Sequence, residues 1–270
     1  MKRIPAFVLF IVLAVLSVVA LFPFYNMVVM GTYPNNELNE VKLLPGTYVL
    51  GNLETVIKND FLTYYANSLY IALIVMAGST FISAMAGFAF AKYDFRAKSF
   101  LFYLVLGTLM IPSQLGLVGF VIEMRWFGMM NTHLPLIIPP LANAFGVFWM
   151  TQYIKTGIPN EMLESAVIDG CSDFSAFSRI VLPNIKSALT TLFLLFFLST
   201  WDSYLVPFIV LNKDKLYTIP LMIATLSNAH FTDNAARMLT LTLSTIPVIT
   251  IFAVGSKSLI QGLVAGSLKE

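Results

Sequence analysis

Charge is scarce in this chain. Only 11% of its 270 residues are Asp, Glu, Lys or Arg, against about a quarter in a soluble globular domain. A chain so poor in charge cannot clothe a water-facing surface, and water-soluble classes are excluded. Cysteine is almost absent: Cys171 alone cannot form an internal disulfide, and its place in a polar stretch reads as a small filler rather than a redox or metal site. The two histidines, His133 and His230, are far apart and lack ligand spacing, so no metal site is expected. No glycine-rich phosphate loop occurs, so the chain is not expected to hydrolyse ATP itself. Neither a Ser/His/Asp set nor an HExxH motif is visible, and no cofactor is expected. No run of intramembrane acids or histidines could relay protons, and no inverted repeat is apparent. Basic residues lie between apolar runs rather than on one face, which gives no footprint for nucleic acid.

What the chain has is apolar length. Hydrophobic residues make up 58% of it and fall in runs of about 20, enough for a helix to cross a hydrocarbon core. Six transmembrane helices follow, over about 5–30, 65–91, 99–122, 133–153, 187–211 and 238–261. The first run is too long for a signal-peptide core and lacks a convincing small-residue cleavage site, so it reads as a span that stays. The expected class is an all-α, multi-pass membrane protein. Its expected organisation is residues 1–62 (first span and external segment), 63–262 (spans two to six, with a polar loop at 155–187) and 263–270 (tail). Counting Lys and Arg with the N-terminus inside gives ten on that side and six on the other. The bias is strongest in short loops, where it weighs most. Both termini and the polar loop are therefore expected in the cytoplasm, with 31–62 and 212–236 outside.

The spans carry further marks. Ala84, Ala86, Gly87, Ala89 and Ala91 allow close helix contact. Pro112, Pro139, Pro140, Pro207 and Pro247 break backbone hydrogen bonds. In lipid such breaks survive where neighbouring helices or a water-filled cavity satisfy the freed groups, which suits a transporter or a kinked static bundle. One acid, Asp202, lies inside a span beside Trp201. The pair is the candidate translocation path; the plainer alternatives are an acid bonded to nearby backbone and a packing tryptophan.

Between spans four and five lies a polar island holding four of the fourteen acids: Glu161, Glu164, Asp169 and Asp173. Pro159 and Asn160 suit a helix start, the Asn as a side-chain cap. Glu161 and Glu164 suit the first turn, and Met162, Leu163, Ala166 and Val167 form an apolar face. Gly170 suits a turn with positive φ. Ser172 suits the cap of a second helix that Pro183 closes.

This island resembles the EAA loop of binding-protein-dependent ABC importer permeases, whose pattern is E-A-A, three residues, G, nine residues, I-x-L-P. Here Glu164, Ser165 and Ala166 are followed by Gly170, then Ile180, Leu182 and Pro183 at the full spacing, with Ser165 for the usual Ala. Further likeness is to the sugar-type group that includes the second permease subunit of the maltose importer. It rests on Phe22–Tyr25, Asn67–Leu69, Ala89–Tyr93, Ile111–Pro112, Ile158–Pro159, Ile168–Gly170, Trp201–Asp202 and the glycine-rich ending from Gly262. Val264 and Ser267 depart from that ending, and Asp202 stands where Asn is usual.

The resemblance implies a type I ABC importer permease fold in the cytoplasmic (inner) membrane. It implies ATPase coupling through Glu164, Ser165, Ala166, Asp169, Gly170, Ile180, Leu182 and Pro183, with Glu164 and Asp169 shaping the loop. Implied partners are a second homologous permease, two ATPase subunits and an external sugar-binding protein docked on 31–62, 123–132 and 212–236. Asn228, His230 and Asp233 are candidate contacts for that protein by position, or else solvated loop residues. Other readings are a permease of the same fold for a non-sugar solute, and a secondary carrier or intramembrane enzyme.

Overall fold

A computed structural model describes the backbone of residues 6–226 and 233–267 and the side chains of 7–224 and 233–256; no strand occurs among the described residues. The first apolar run is α1 (Ala6–Met30), with Pro23 inside it. A short α2 (Val49–Lys58) precedes α3 (Phe61–Lys92), whose 32 residues exceed what a bilayer core needs. The third run divides into α4 (Lys98–Leu109) and α5 (Leu117–Trp126), and the fourth into α6 (Leu134–Leu141) and α7 (Ala144–Gly157). The polar island forms α8 (Asn160–Ile168), α9 (Asp173–Ala176), a wide turn over Phe177–Val181, and α10 (Leu182–Asn184). Then come α11 (Lys186–Trp201), α12 (Leu205–Val210), α13 (Ile219–Leu226) and α14 (Asn234–Ser267).

Four stretches are long and apolar enough to cross a membrane: Phe7–Met30, Phe61–Lys92, Leu134–Gly157 and Asn234–Ser256. The count becomes six if each of two bent pairs is one span. The third expected span is thus not a straight helix, and the second bent pair joins Asp173–Asn184 to α11. Pro112 lacks an N–H, and a tight turn over Ser113–Gly116 bends α4 and the following stretch by 93°. The fifth run stops at Trp201 and resumes at Leu205 as α12, which carries Pro207.

The described chain falls into two compact units, Met1–Tyr65 with Leu221–Pro247, and Ala66–Pro220 with Val248–Glu270. In the first, Asn52 is 1% exposed, and its amide donates to the carbonyls of Gly31 and Tyr33, both at 2.8 Å. One buried amide thus ties the end of α1 to α2. Asp233 caps α14 by accepting from the N–H of Ala236 at 3.0 Å, and the N–H of Asn234 donates to Asn35.

The second unit holds the main core. Ala84 and Phe88 of α3 pack with Met150 and Ile154 of α7 and with Ala188, Leu192 and Phe196 of α11. The small residues of α3 permit this approach. A Cβ on Gly87 would lie 2.5 Å from Met150 Cβ and 2.9 Å from the Met150–Thr151 backbone, atoms that cannot swing away. Gly87→Ala therefore overpacks the contact and is expected to cost about 1–3 kcal/mol, lowering the melting temperature of the chain in detergent. Gly107→Ala is the control: no atom lies within 4 Å of its Cβ position, and no loss is expected in the isolated chain.

Candidate functional site: the segment between α7 and α11 and the cavity at the helix breaks

The polar island is rooted in the core from both ends. Ile158, Phe177, Val181 and Ile185 are buried in the same cluster as Phe88, Met150 and Leu192, with Tyr93, Leu163 and Leu182 packed against it. Lys92, at the end of α3, donates to the Ile158 carbonyl and to Asn160 Oδ1 at 2.7 Å. Asn160 is thus the first residue of α8 and a partner of Lys92, not the expected side-chain cap; Pro159 precedes the helix in extended conformation.

α8 ends as its sequence requires. Asp169 and Gly170 donate backbone N–H groups to Ser165 and Val167, and Cys171 to Ala166 at 2.9 Å. Gly170 has φ +78°, the left-handed region that glycine enters without a Cβ clash. Ser172 caps α9, its Oγ accepting from the Ser175 N–H. Pro183 does not close this second helix. It sits inside α10, and the chain continues through the wide turn, where Leu182 N–H reaches back to Phe177. The sharp change of direction comes at Ile185, and the stretch Asp173–Asn184 meets α11 at 82°. A wide turn next to a proline accommodates the missing donor.

The expected apolar face of α8 is split by the structure. Leu163 and Ala166 face the core, whereas Met162 and Val167 face out; Ile168, which is not part of that face, is 86% exposed, and Phe174 is exposed on α9. Of the candidate motif residues, Glu164, Ser165, Asp169, Gly170 and Pro183 are exposed, Ile180 and Leu182 half-buried, and Ala166 buried. Ser165 Oγ donates to the Glu161 carbonyl at 2.8 Å, so the departure from Ala is absorbed within the helix. Glu164, Val167 and Ile168 border a hollow of about 400 Å³ with Lys92, Tyr93 and Asp173. Tyr93 is hydrogen-bonded to Asp173; burial, that bond and the nearby carboxylate push its phenol up to about 12.

The other candidates separate. Trp201 is 3% exposed and stacks on Phe197 with ring centroids 5.5 Å apart, which makes it a packing residue. Asp202 is exposed at the end of α11, its N–H bonded to the Leu198 carbonyl. Asp233 caps α14, and Asn228 and His230 lie outside the described residues.

Beside Asp202 the helix breaks open a cavity of about 270 Å³. Pro135, Leu136, Pro139 and Pro140 of α6 and Pro207 of α12 line it. Pro139 and Pro140 have no N–H, so the carbonyls of Pro135 and Leu136 lose their donors four residues on. Side-chain bonds hold the stretch 215–219 beside it. Asn67 donates to the carbonyls of Lys215 at 2.9 Å and Tyr217 at 3.0 Å. The N–H of Ile219 donates to Ser68 Oγ at 2.8 Å. His133 bonds the Leu216 carbonyl through Nε2, at 2.7 Å, and Tyr70 through Nδ1. Among these matched groups Thr218 is the exception: it is 5% exposed, and its hydroxyl has no partner, at a cost of about 1–3 kcal/mol. Sequence reasoning marked Asn67 and Ser68 by likeness alone and missed Thr218. The only signal for the cavity was the clustering of prolines and hydroxyls at the ends of spans four and five.

Comparison with known proteins gives this geometry its relatives. Among similar proteins are the arabinooligosaccharides transport system permease protein AraQ of Halalkalibacterium halodurans, 30% identical over 95% of this chain and 94% of that protein, and the lactose transport system permease protein LacG of Rhizobium radiobacter, 28% identical over 99% and 98%. The sn-glycerol-3-phosphate transport system permease protein UgpE of Salmonella typhi is 30% identical over 91% of each chain. A chain of a bacterial ABC transporter involved in importing the acidic polysaccharide alginate superposes with TM-score 0.82 over 95% of this chain and 96% of that one, at 22% identity, a likeness of fold. Residues 79–264 match the family model of the binding-protein-dependent transport system inner membrane component. The helix–glycine–helix segment rooted in a multi-pass core is therefore set in a chain that belongs to the family of binding-protein-dependent transport system inner membrane components.

Proposed function

We propose that the chain is a permease subunit of an ATP-driven, binding-protein-dependent importer of carbohydrate. It forms half of the pathway with a second homologous permease. ATP is hydrolysed by two separate ATPase subunits, and an external sugar-binding protein delivers the solute to loops 31–62, 123–132 and 212–236, where Asn228, His230 and Asp233 lie. The names of the relatives AraQ and LacG support the carbohydrate reading. Both termini and the segment 158–185 face the cytoplasm, in keeping with the excess of Lys and Arg on that side.

The observation that carries this reading is the two-sidedness of the segment. Its inner side is buried with α3, α7 and α11, while Met162, Val167, Ile168 and Phe174 stand exposed beside four acids. A helix lying on anionic headgroups would present lysines rather than Glu161, Glu164, Asp169 and Asp173. A short helix docked in a cleft of a partner protein fits both the apolar edge and the acids. ATPase closure then moves this segment and, through it, the helices.

Gly170→Pro places a residue restricted to φ near −65° where φ is +78°. It is expected to abolish uptake and transport-coupled ATPase activity in reconstituted complexes while membrane insertion, read by protease protection, is retained. Ile168→Asp is expected to weaken co-purification of the ATPase at least tenfold without lowering the chain's own melting temperature; undiminished assembly would refute the docking role.

Tyr93 supplies a pH test. Because its folded pKa is raised to about 12, the neutral phenol contributes stability that is complete below the usual value near 10 and is lost as pH rises through about 12. Tyr93→Phe is expected to cost about 0.5–1.5 kcal/mol and to raise amide hydrogen exchange across 160–176 equally at pH 6 and pH 9. A difference between those two pH values would show that another group carries the contact.

A further inference from the structure

The end of α3, the start of α4 and the end of α7 enclose a small hollow of about 150 Å³, apart from the coupling segment and from the cavity at the helix breaks. Lys98, Ser99, Gln152 and Lys155 contribute polar wall, and no carboxylate lines it. Phe90 and Phe102, with ring centroids 5.4 Å apart, supply apolar wall. Each of the four polar side chains can donate hydrogen bonds, and two are ammonium groups. Lys98 is partly neutralised: its ammonium donates at 3.1 Å to Asp94, a carboxylate that stands fully in solvent. Lys155 makes no ion pair, and the side chains of Ser99 and Gln152 make no hydrogen bond, among the described residues. Two ammonium groups and one carboxylate leave a single positive charge unmatched. The hollow therefore has the donors and the charge for one monoanion.

Its place selects the anion. Phe90 and Ala91 lie in the last turn of α3, Lys98 and Ser99 in the first turn of α4, and Lys155 in the last turn of α7. α3 and α7 close stretches long and apolar enough to cross a membrane, so the hollow lies where those stretches leave the hydrocarbon, at the level of phospholipid phosphates. Basic pockets between spans at that level suit anionic headgroups. Further along α4, Phe100, Tyr103 and Leu104 are exposed, a face that acyl chains cover. A soluble phosphate would match the charge and leave that face bare. We propose that the hollow holds the headgroup phosphodiester of an anionic phospholipid of the cytoplasmic leaflet, with Lys98 and Lys155 as its charge partners. The leaflet rests on the reading that places the segment 158–185 in the cytoplasm; the charge and shape of the hollow do not.

The test titrates the full-length chain in detergent with phosphatidylglycerol or phosphatidylcholine and reads the first bound lipid by native mass spectrometry. Phosphatidylglycerol is expected to bind about threefold or more tightly than phosphatidylcholine. Lys98→Gln/Lys155→Gln is expected to remove that preference, and so is Lys155→Glu alone, with melting temperatures in lipid-free detergent unchanged because an exposed pair contributes little. Arg179→Gln/Lys186→Gln removes the same charge from exposed positions outside the hollow and is expected to keep the preference. No preference in the unaltered chain, a preference that survives loss of both lysines, or one lost equally in the Arg179/Lys186 variant would overturn the headgroup site. Displacement of phosphatidylglycerol by inorganic phosphate alone would assign the hollow to a soluble anion and also overturn the lipid. The side is read separately. In a Cys171→Ser background, the exposed Arg96 is replaced in Arg96→Cys, and a membrane-impermeant maleimide is expected to label it only after permeabilisation. Labelling in intact cells would overturn the cytoplasmic reading and move the lipid to the outer leaflet. Loss of the lipid preference with residue 96 inside would overturn the headgroup site alone.

Discussion

Ile158, Phe177, Val181 and Ile185 belong to the polar segment by their place in the sequence and to the helical core by their packing. A close-packed core does not deform one side chain at a time. Because these four residues are buried with Phe88 of α3, Met150 of α7 and Leu192 of α11, the segment cannot shift without carrying those helix ends with it. Exposed acids and apolar side chains on α8 would be a mere surface patch if the loop were free. Rooted in the core, they become the outer end of a rigid piece.

The second constraint comes from the bilayer, where each unpaired backbone group must find a partner inside the protein. The chain carries breaks at Pro112, across Ala142–Asn143 and at Asp202–Tyr204, and side chains do much of the repair. Asn143 caps α7 through the Gly146 N–H at 2.9 Å, Ser79 donates to the Pro140 carbonyl at 2.9 Å, and Asn67, Ser68 and His133 hold the stretch after α12. Thr218, left unpaired in that setting, is conspicuous because so much around it is satisfied.

The sequence displayed its class and its segment well, for physical reasons. Apolar runs report bilayer crossing directly, and the glycine at 170 reports a positive φ that other residues avoid. It displayed the breaks poorly. Proline marks a lost hydrogen bond, not the angle that results: Pro23 and Pro247 stay inside continuous helices, while the region after Pro112 bends by 93°. Periodicity likewise gave α8 a single apolar face, but in so short a helix Leu163 and Ala166 could be separated from Met162 and Val167 only by knowing where the core lies. Trp201 and Asp202 drew attention as an intramembrane pair, yet the indole packs inward on Phe197, and their neighbours Ser199, Thr200 and Ser203 line the cavity.

Two helices join the segment to the cavity. α11 starts beside Ile185 in the rooted cluster and brings Ser199 and Thr200 to the cavity wall within its 16 residues, a rod of roughly 24 Å at 1.5 Å per residue. α3 runs between the same two places, with Phe88 in the cluster and Ser68 in the wall. Unbroken helices are stiff along their axes, whereas other lining residues come from α6 and α12, the elements that carry Pro139, Pro140 and Pro207. A displacement imposed at the cluster therefore reaches Ser68, Ser199 and Thr200 through rods, while Pro139, Pro140 and Pro207 sit on broken helices. That difference in stiffness lets the same input change the shape of the cavity rather than merely move it.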